Sequence, residues 1–326
     1  MDPLKFPLTE AEIRLTSEVV RRDGGLDETA WFETISLDES EQFPDRRCAY
    51  VCCYERGSNR TFAGTVRLDS GALENWRHLE GAQPRVSPDE SVVACRIARE
   101  DPAFLEALQL RGIEDASNVL IEAWSAGNFG FDEEQDRRLS YGFCWLMNDA
   151  GDNPYARPIA NLHPVFDLAE FKIIRIEDYG VVPIPPDPGP IRRPEARDDL
   201  TEINITQPDG PSFSVDGYHV RWYDWELQVG FSQREGLVIY DIGIHDSGRL
   251  RPIMKRASMA EMVVPYGDPR GASFRRNAFD TGEIGIGVNL DSLALGCDCL
   301  GHIQYFDVCT HDWNGDPRKI SNAVCM

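Results

Sequence analysis

Apolar and polar positions along the chain change period several times, and each change marks a new element. Leu8-Thr9-Glu10-Ala11-Glu12 sets a threonine three residues before a glutamate, a pair that can cap each other's backbone. Ile13, Val19 and Val20 then recur on one helical face to about Arg22, and Gly24-Gly25 ends the pattern. Shorter apolar runs at 31–37, 49–55 and 61–68 read as strands, with Gly57-Ser58-Asn59 as the turn between the last two. A helix followed by antiparallel strands predicts an α+β unit.

The same order then returns. Ser87-Pro88-Asp89-Glu90 opens a helix carrying Val92, Val93, Cys95 and Ile97. Pro102 restarts helical turns through Leu105, Leu108 and Leu110, which Gly112 stops. Strand-like runs follow at 117–123, 139–148 and 165–177, giving a second α+β unit in tandem, although identity between the two is too low for a sequence repeat. Residues 181–194, VVPIPPDPGPIRRP, hold prolines that forbid helix and interior strand, so this stretch reads as an extended linker. Beyond about residue 200 the texture becomes short strands at 218–229, 236–245, 250–254, 287–295 and 302–308. Asp209-Gly210, Asp216-Gly217, Ser247-Gly248 and Asn314-Gly315 mark turns, and the section reads as the start of an all-β sandwich. The expected class is therefore α+β followed by all-β. Its divisions are 1–84, 85–185, a proline-rich linker at 186–200, and 201–326.

Charge narrows the partners. Asp and Glu total 55 against 33 Lys and Arg, a net charge of -22, which argues against nucleic acid or an anionic membrane surface. It suits a soluble protein and favours the approach of a small cation such as a protonated amine. No apolar run approaches the ~18 residues of a membrane span, and the acidic, amphipathic N-terminus lacks a signal peptide's basic start. Nine cysteines, without a framework spacing, point to mostly reduced thiols.

Few residues carry chemistry on spacing alone. The six histidines include no His-x-His or helical His-x-x-x-His pair, so no histidine metal motif is present. Cys297, Cys299, His302 and Cys309 are the nearest metal-like cluster, but Cys-x-Cys on a strand points its sulfurs to opposite faces. Gly282-x-x-Gly285-x-Gly287 reverses the dinucleotide fingerprint and opens no helix; a strand with close backbone packing fits it better. Asp280, after Phe279 and before Thr281-Gly282, could be a general base whose pKa rises in apolar company, but spacing favours a turn aspartate bonding its own backbone. Cys299 and Cys325 read first as free thiols.

Longer motifs change this reading. Thr206-Gln207-Pro208-Asp209-Gly210-Pro211-Ser212-Phe213, Arg234-Glu235-Gly236-Leu237 and Leu250-Arg251-Pro252-Ile253 are stretches through which the chain resembles the copper-containing amine oxidases. The resemblance continues through 256–269 (RASMAEMVVPYGDP), 277–283 (NAFDTGE), 295–301 (LGCDCLG) and 322–326 (NAVCM), and upstream in Trp124-Ser125-Ala126-Gly127 and Gly180-Val181-Val182-Pro183. It implies two tandem cystatin-like α+β domains, similar to the family's second and third N-terminal domains, and then the incomplete start of an all-β supersandwich catalytic domain.

The family oxidises primary amines with O2 to aldehydes, ammonia and hydrogen peroxide, using copper and topaquinone made from a tyrosine of the chain. By motif match, Asp280 corresponds to the proton-abstracting base and Tyr266 to the tyrosine that hydrogen-bonds the quinone. Trp124, Tyr155, Ala278 and Ile284 fall at substrate-channel positions, and Cys299 and Cys325 at the family's disulfide pair. The resemblance also implies a homodimer when full length and a cytoplasmic or peroxisomal location. The departures are equally specific. The sequence has no Asn-Tyr dipeptide, which precedes the cofactor tyrosine in the family, and no His-x-His of the copper site. These motifs lie further downstream in the family. The expectation is an N-terminal portion that can form neither cofactor and is inactive alone. The alternative is a non-catalytic interaction protein retaining the N-terminal domains.

Overall fold

The computed structural model describes residues 3–40, 42–189 and 199–326. Helix α1 (Glu10–Asp23) starts where the sequence places it: Thr9 Oγ1 accepts from Glu12 N (3.3 Å), and Thr9 N donates to Glu12 Oε2 (2.8 Å). Its buried face carries Ile13, Val19 and Val20. Strands β1 (Ala30–Leu37), β2 (Cys48–Glu55), β3 (Arg60–Arg67) and β4 (Ala72–Leu79) form an antiparallel meander in sequence order. The apolar pattern predicts three of these strands and misses β4. That edge strand buries no residue fully, so it has no apolar alternation to betray it.

Helices α2 (Pro88–Glu100) and α3 (Pro102–Gln109) begin at Ser87 and Asp101, whose side chains accept from Glu90 N and Phe104 N. They cover a second meander, β5 (Val119–Ser125), β6 (Leu139–Leu146), β7 (Leu162–Asp167) and β8 (Lys172–Asp178). Ala94, Ala98, Phe104 and Leu108 pack with Val119, Ile121, Leu162 and Phe166 in one core. The single strand expected at 165–177 is two strands. The chain reverses between them, with Phe171 at φ +51° and Asp167 Oδ1 accepting from Ala169 N (3.1 Å) and Glu170 N (3.2 Å). An aspartate-capped turn without glycine or proline is hidden within an apolar run. Of the expected linker, residues 181–189 and 199–200 are described. Ile184 packs on this core and the carbonyls of Pro188 and Gly189 accept from Asn153 N; residues 190–198 lie outside the described residues.

The remaining chain forms β9 (Phe213–Asp216), β10 (His219–Trp222), β11 (Trp225–Ser232), β12 (Gly236–Asp246) and β13 (Arg249–Ser258), an antiparallel sheet in order 13-12-11-10-9. The run at 218–229 spans a hairpin rather than one strand: Trp222 pairs with Trp225 around a tip where Tyr223 has φ +51°. Short strands β14 (Val263–Pro265) and β15 (Asn277–Phe279) pair, as do β16 (Tyr305–His311) and β17 (Pro317–Cys325). Neither 287–295 nor the Gly282–Gly287 stretch is a strand: residues 282–284 and 286–289 are turns, 290–294 are irregular, and Leu295 makes only an isolated bridge. Close packing does occur at Gly287, where a Cβ would meet the Ser232 carbonyl oxygen at 2.2 Å.

The chain divides into two compact units. The first comprises Met1–Pro84, Glu202–Met262 and Phe279–Met326. Within it α1 and the first meander share a core with Cys309 of β16, Ile35 N donates to His311 Nε2 (2.8 Å), and Phe32 N donates to the Trp313 carbonyl (2.9 Å). Glu39 accepts from both Tyr240 Oη (2.7 Å) and Arg256 Nε (2.7 Å). The second unit comprises Arg85–Thr201 and Val263–Ala278, so β14, most of β15 and the segment joining them belong with the second meander.

Candidate functional site

In the first unit, Asp280 sits half-buried at the start of a turn that follows β15. Its own N–H donates to the Met262 carbonyl (3.0 Å). The turn is held by a residue the sequence reading did not single out, Glu261. Glu261 Oε1 accepts from Thr281 N (3.0 Å) and Met262 N (3.0 Å), and Oε2 accepts from Gly282 N (3.1 Å) and Arg234 Nη2 (2.9 Å). Partial burial pushes the Glu261 carboxyl up. The N–H groups of Met262, Gly282 and Thr281, with Arg234, outweigh it and hold the group below the usual carboxylate range. A Cβ at Gly282 would lie 2.7 Å from Glu261 Oε2, so the clamp requires glycine there. Thr281 is fully buried, and its Oγ1 has no hydrogen-bond partner. Ile284, further along the turn, is 47% exposed.

The same unit holds the candidate disulfide. Cys299 is buried, Cys325 ends β17, and their sulfurs are 2.9 Å apart as free thiols. Cys297 is exposed and Cys309 is in the α1 core, so the cysteine–histidine cluster weighed from sequence is dispersed. The Cys-x-Cys pair lies in a turn closed by the Leu295–Cys299 bridge, not on a strand.

The second unit brings Trp124, Tyr155 and Tyr266 together. Trp124 and Tyr266 have ring centroids 6.4 Å apart, and Trp124 packs edge-on against Phe143 at 4.9 Å. Tyr155 packs edge-on against Trp145 (5.4 Å) and donates from Oη to Glu122 Oε1 (2.6 Å). Trp124 Nε1 donates to the other oxygen of Glu122 (3.2 Å). That hydrogen bond to Glu122 pushes the Tyr155 hydroxyl above its usual pKa. Glu122 and Trp124 are two apart on β5 and so share a face, a relation that strand periodicity makes visible and motif matching does not. Arg276 stacks over Phe143 (4.2 Å) and Tyr266 (5.5 Å). Ala278 is buried on β15.

The segment carrying Tyr266 is fixed by Arg275, whose side chain is 1% exposed. Arg275 donates to both oxygens of Glu134 (2.6 and 3.1 Å) and to the Ala126 carbonyl (3.2 Å), among the rings of Phe129, Phe131, Tyr141 and Phe274. Glu134 also pairs with Arg175.

Comparison with known proteins gives this arrangement its family. Residues 89–190 match the copper amine oxidase N3 domain, and residues 214–326 match the copper amine oxidase enzyme domain. A primary amine oxidase of Arthrobacter sp. (strain P1) is 40% identical over 330 residues, covering 98% of this chain and 51% of that protein. Histamine oxidase of Arthrobacter globiformis is 34% identical over 334 residues, covering 98% and 48%. Among solved structures, a copper-containing benzylamine oxidase from Hansenula polymorpha superposes with a TM-score of 0.79 at 28% identity, covering 98% of this chain and 54% of that one. The chain belongs to the copper amine oxidase family. It spans about half the length of the curated relatives it matches.

Proposed function

We propose that this chain carries the proton-accepting and substrate-lining half of a primary amine oxidase. The observation that supports the reading best is the 40% identity to a primary amine oxidase across 98% of the chain. On this reading Asp280 is the proton acceptor for the carbon that bears the amine, held by the Glu261 clamp. Tyr266 is the hydrogen-bonding tyrosine beside the quinone position. Trp124, Tyr155, Ala278 and Ile284 line the path of the amine, and Cys299 and Cys325 form a disulfide under oxidising conditions. The reading carries with it the two cystatin-like domains at 1–84 and 85–185, the linker at 186–200 and a catalytic β-sandwich from 201. It also carries O2 as co-substrate, a homodimeric full-length protein, and a cytoplasmic or peroxisomal location. A tobacco relative is itself named a peroxisomal N-methylputrescine oxidase. No described helix is long and apolar enough to cross a membrane.

Among the described residues no group of three or more His, Cys, Asp or Glu side chains could hold a metal ion. Three of the six histidines have partners of their own: His163 Nδ1 faces the Gly142 carbonyl (2.9 Å), and His219 and His245 share Glu226 (2.9 Å each). The sequence also offers no Asn-Tyr precursor for the quinone. The purified chain, incubated with copper, oxygen and methylamine, is expected to release no hydrogen peroxide. One tight copper per chain with a quinone colour would overturn this. Reading the gene beyond the Met326 codon separates the alternatives. A frame continuing into Asn-Tyr-Asp-Tyr and His-x-His supports the oxidase. A stop codon supports the non-catalytic interaction protein.

A further inference from the structure

In the second unit, carboxylates removed from water are neutralised by arginine. The buried Glu90 pairs with Arg138 (2.5 Å), Glu134 with Arg275 (2.6 Å), Asp152 with Arg157 (2.6 Å) and Asp167 with Arg137 (3.0 Å). The half-buried Glu177 pairs with Arg175 (2.7 Å), and half-buried Asp101 caps α3. Asp101 and Glu122 have no arginine, and Asp101 instead accepts from a backbone N–H at a helix start, where the helix dipole favours negative charge. Glu122 is half-buried on β5, and among the described residues no lysine, arginine or histidine forms an ion pair with it. Its hydrogen-bond partners are two aromatic donors, Tyr155 Oη and Trp124 Nε1, one on each oxygen.

Neutral donors orient a carboxylate without supplying a counter-charge, and partial desolvation of an unpaired charge costs free energy unless one is supplied. Two donors occupy only part of its hydrogen-bonding capacity, since an ionised carboxylate offers about four acceptor sites. What surrounds it is π-surface: Trp124 and Tyr155 directly, with Trp145 packed on Tyr155. A carboxylate set among indole and phenol rings is the chemistry that recognises a positively charged nitrogen with hydrocarbon attached. The charge is met by the carboxylate, the N–H groups by its free lone pairs, and the polarised CH groups by the ring faces.

We propose that Glu122, Trp124 and Tyr155 form a binding site for an organic ammonium ion, with Glu122 as its counter-ion. On the amine-oxidase reading this ion is a substrate's ammonium group, and Glu122 selects cationic amines. That link to turnover rests on the reading above; the binding does not. Tyr155 is 59% exposed, so the site opens to solvent and needs no movement of the core to fill. The chain's net charge of -22 attracts cations everywhere, so the test must separate a site from an atmosphere.

The purified chain is titrated at neutral pH with 1-butylamine, 1,4-diaminobutane and the uncharged 1-butanol, following tryptophan fluorescence and heat. The amines are expected to bind saturably and 1-butanol not to. Glu122→Gln should weaken amine binding about tenfold or more, and Tyr155→Phe, which removes one orienting donor, by a few-fold. Glu114→Gln removes the same charge from an exposed position of the same unit and should leave binding unchanged. Far-UV circular dichroism identical to wild type confirms that each variant folds. Equal binding by Glu122→Gln and wild type, equal binding of 1-butanol and 1-butylamine, or no saturable amine binding below about 50 mM would each overturn the site. Amine binding lost with Glu122→Gln, in a protein whose complete gene product oxidises no amine, would sink the oxidase reading and leave the ammonium site standing.

Discussion

Replacing Arg275 with alanine should detach the segment that carries Tyr266 from the second unit. Arg275 is the buried cation of that segment. It makes two hydrogen bonds to Glu134 and one to the Ala126 carbonyl, with four aromatic rings within 5.5 Å of its guanidinium carbon. Removing one partner of a buried ion pair costs about 3–5 kcal/mol, because the other charge is left without its counter-ion. Arg175 still pairs with Glu134, which brings this penalty to about 3 kcal/mol, and the lost ring faces add about 1 kcal/mol. A total of about 4 kcal/mol raises the segment's opening equilibrium about a thousandfold. The Arg276 amide, bonded to the Ser273 carbonyl (3.0 Å), reports the opening by hydrogen exchange, and urea unfolding reports the unit as a whole. Arg275→Lys should recover only part of the loss, since an ammonium cannot make the bidentate contact. Arg270→Ala removes an exposed pair with Asp268 in the same segment and should change nothing measurable. If Arg275→Ala leaves Arg276 exchange and the urea midpoint within error of Arg270→Ala, Arg275 does not anchor this segment.

Three further outcomes are expected. Burial holds the His163 pKa down to about 4, against a usual value near 6.5, so between these pH values the unfolded chain binds more protons than the folded one. Stability should therefore be full above pH ~6.5 and fall as pH drops toward ~4; His163→Gln should flatten that slope in urea midpoints. Gly282→Ala should push a methyl into Glu261 Oε2 and release the Thr281 and Gly282 amides, and Glu261→Gln should weaken the same protection; unchanged exchange in both would show that the clamp does not hold the Asp280 turn. Oxidation should join Cys299 to Cys325 and raise stability by about 3 kcal/mol through the 26-residue closure. Thiol counting that finds both free after oxidation, or Cys299→Ser with no loss under oxidising conditions, would refute it.

Local chemistry made much of this molecule legible in advance. Both capping boxes, at Thr9–Glu12 and Ser87–Glu90, lie within four residues, so the starts of α1 and α2 follow from side chains that reach only their own backbone. The turns at Leu168–Phe171 and at Tyr223 hold no glycine or proline and leave no mark in the apolar pattern, because aspartate bonding or an aromatic hairpin tip reverses the chain there. The motif around Asp280 was readable as a string; the residue that holds it, Glu261, lies twenty positions away and was not.

Short-range decisions follow from the residues alone: helix starts, about half of the strands, the family motifs and the negative charge. Tertiary structure alone decided the pairing of groups far apart in the chain. Arg275 meets Glu134 across 141 positions, Arg256 meets Glu39 across 217, and Glu122 is left with aromatic partners and no arginine. Periodicity records which face of an element is apolar. It does not record which buried charge will find which partner, because that depends on how sheets stack and which side chains are then removed from water together.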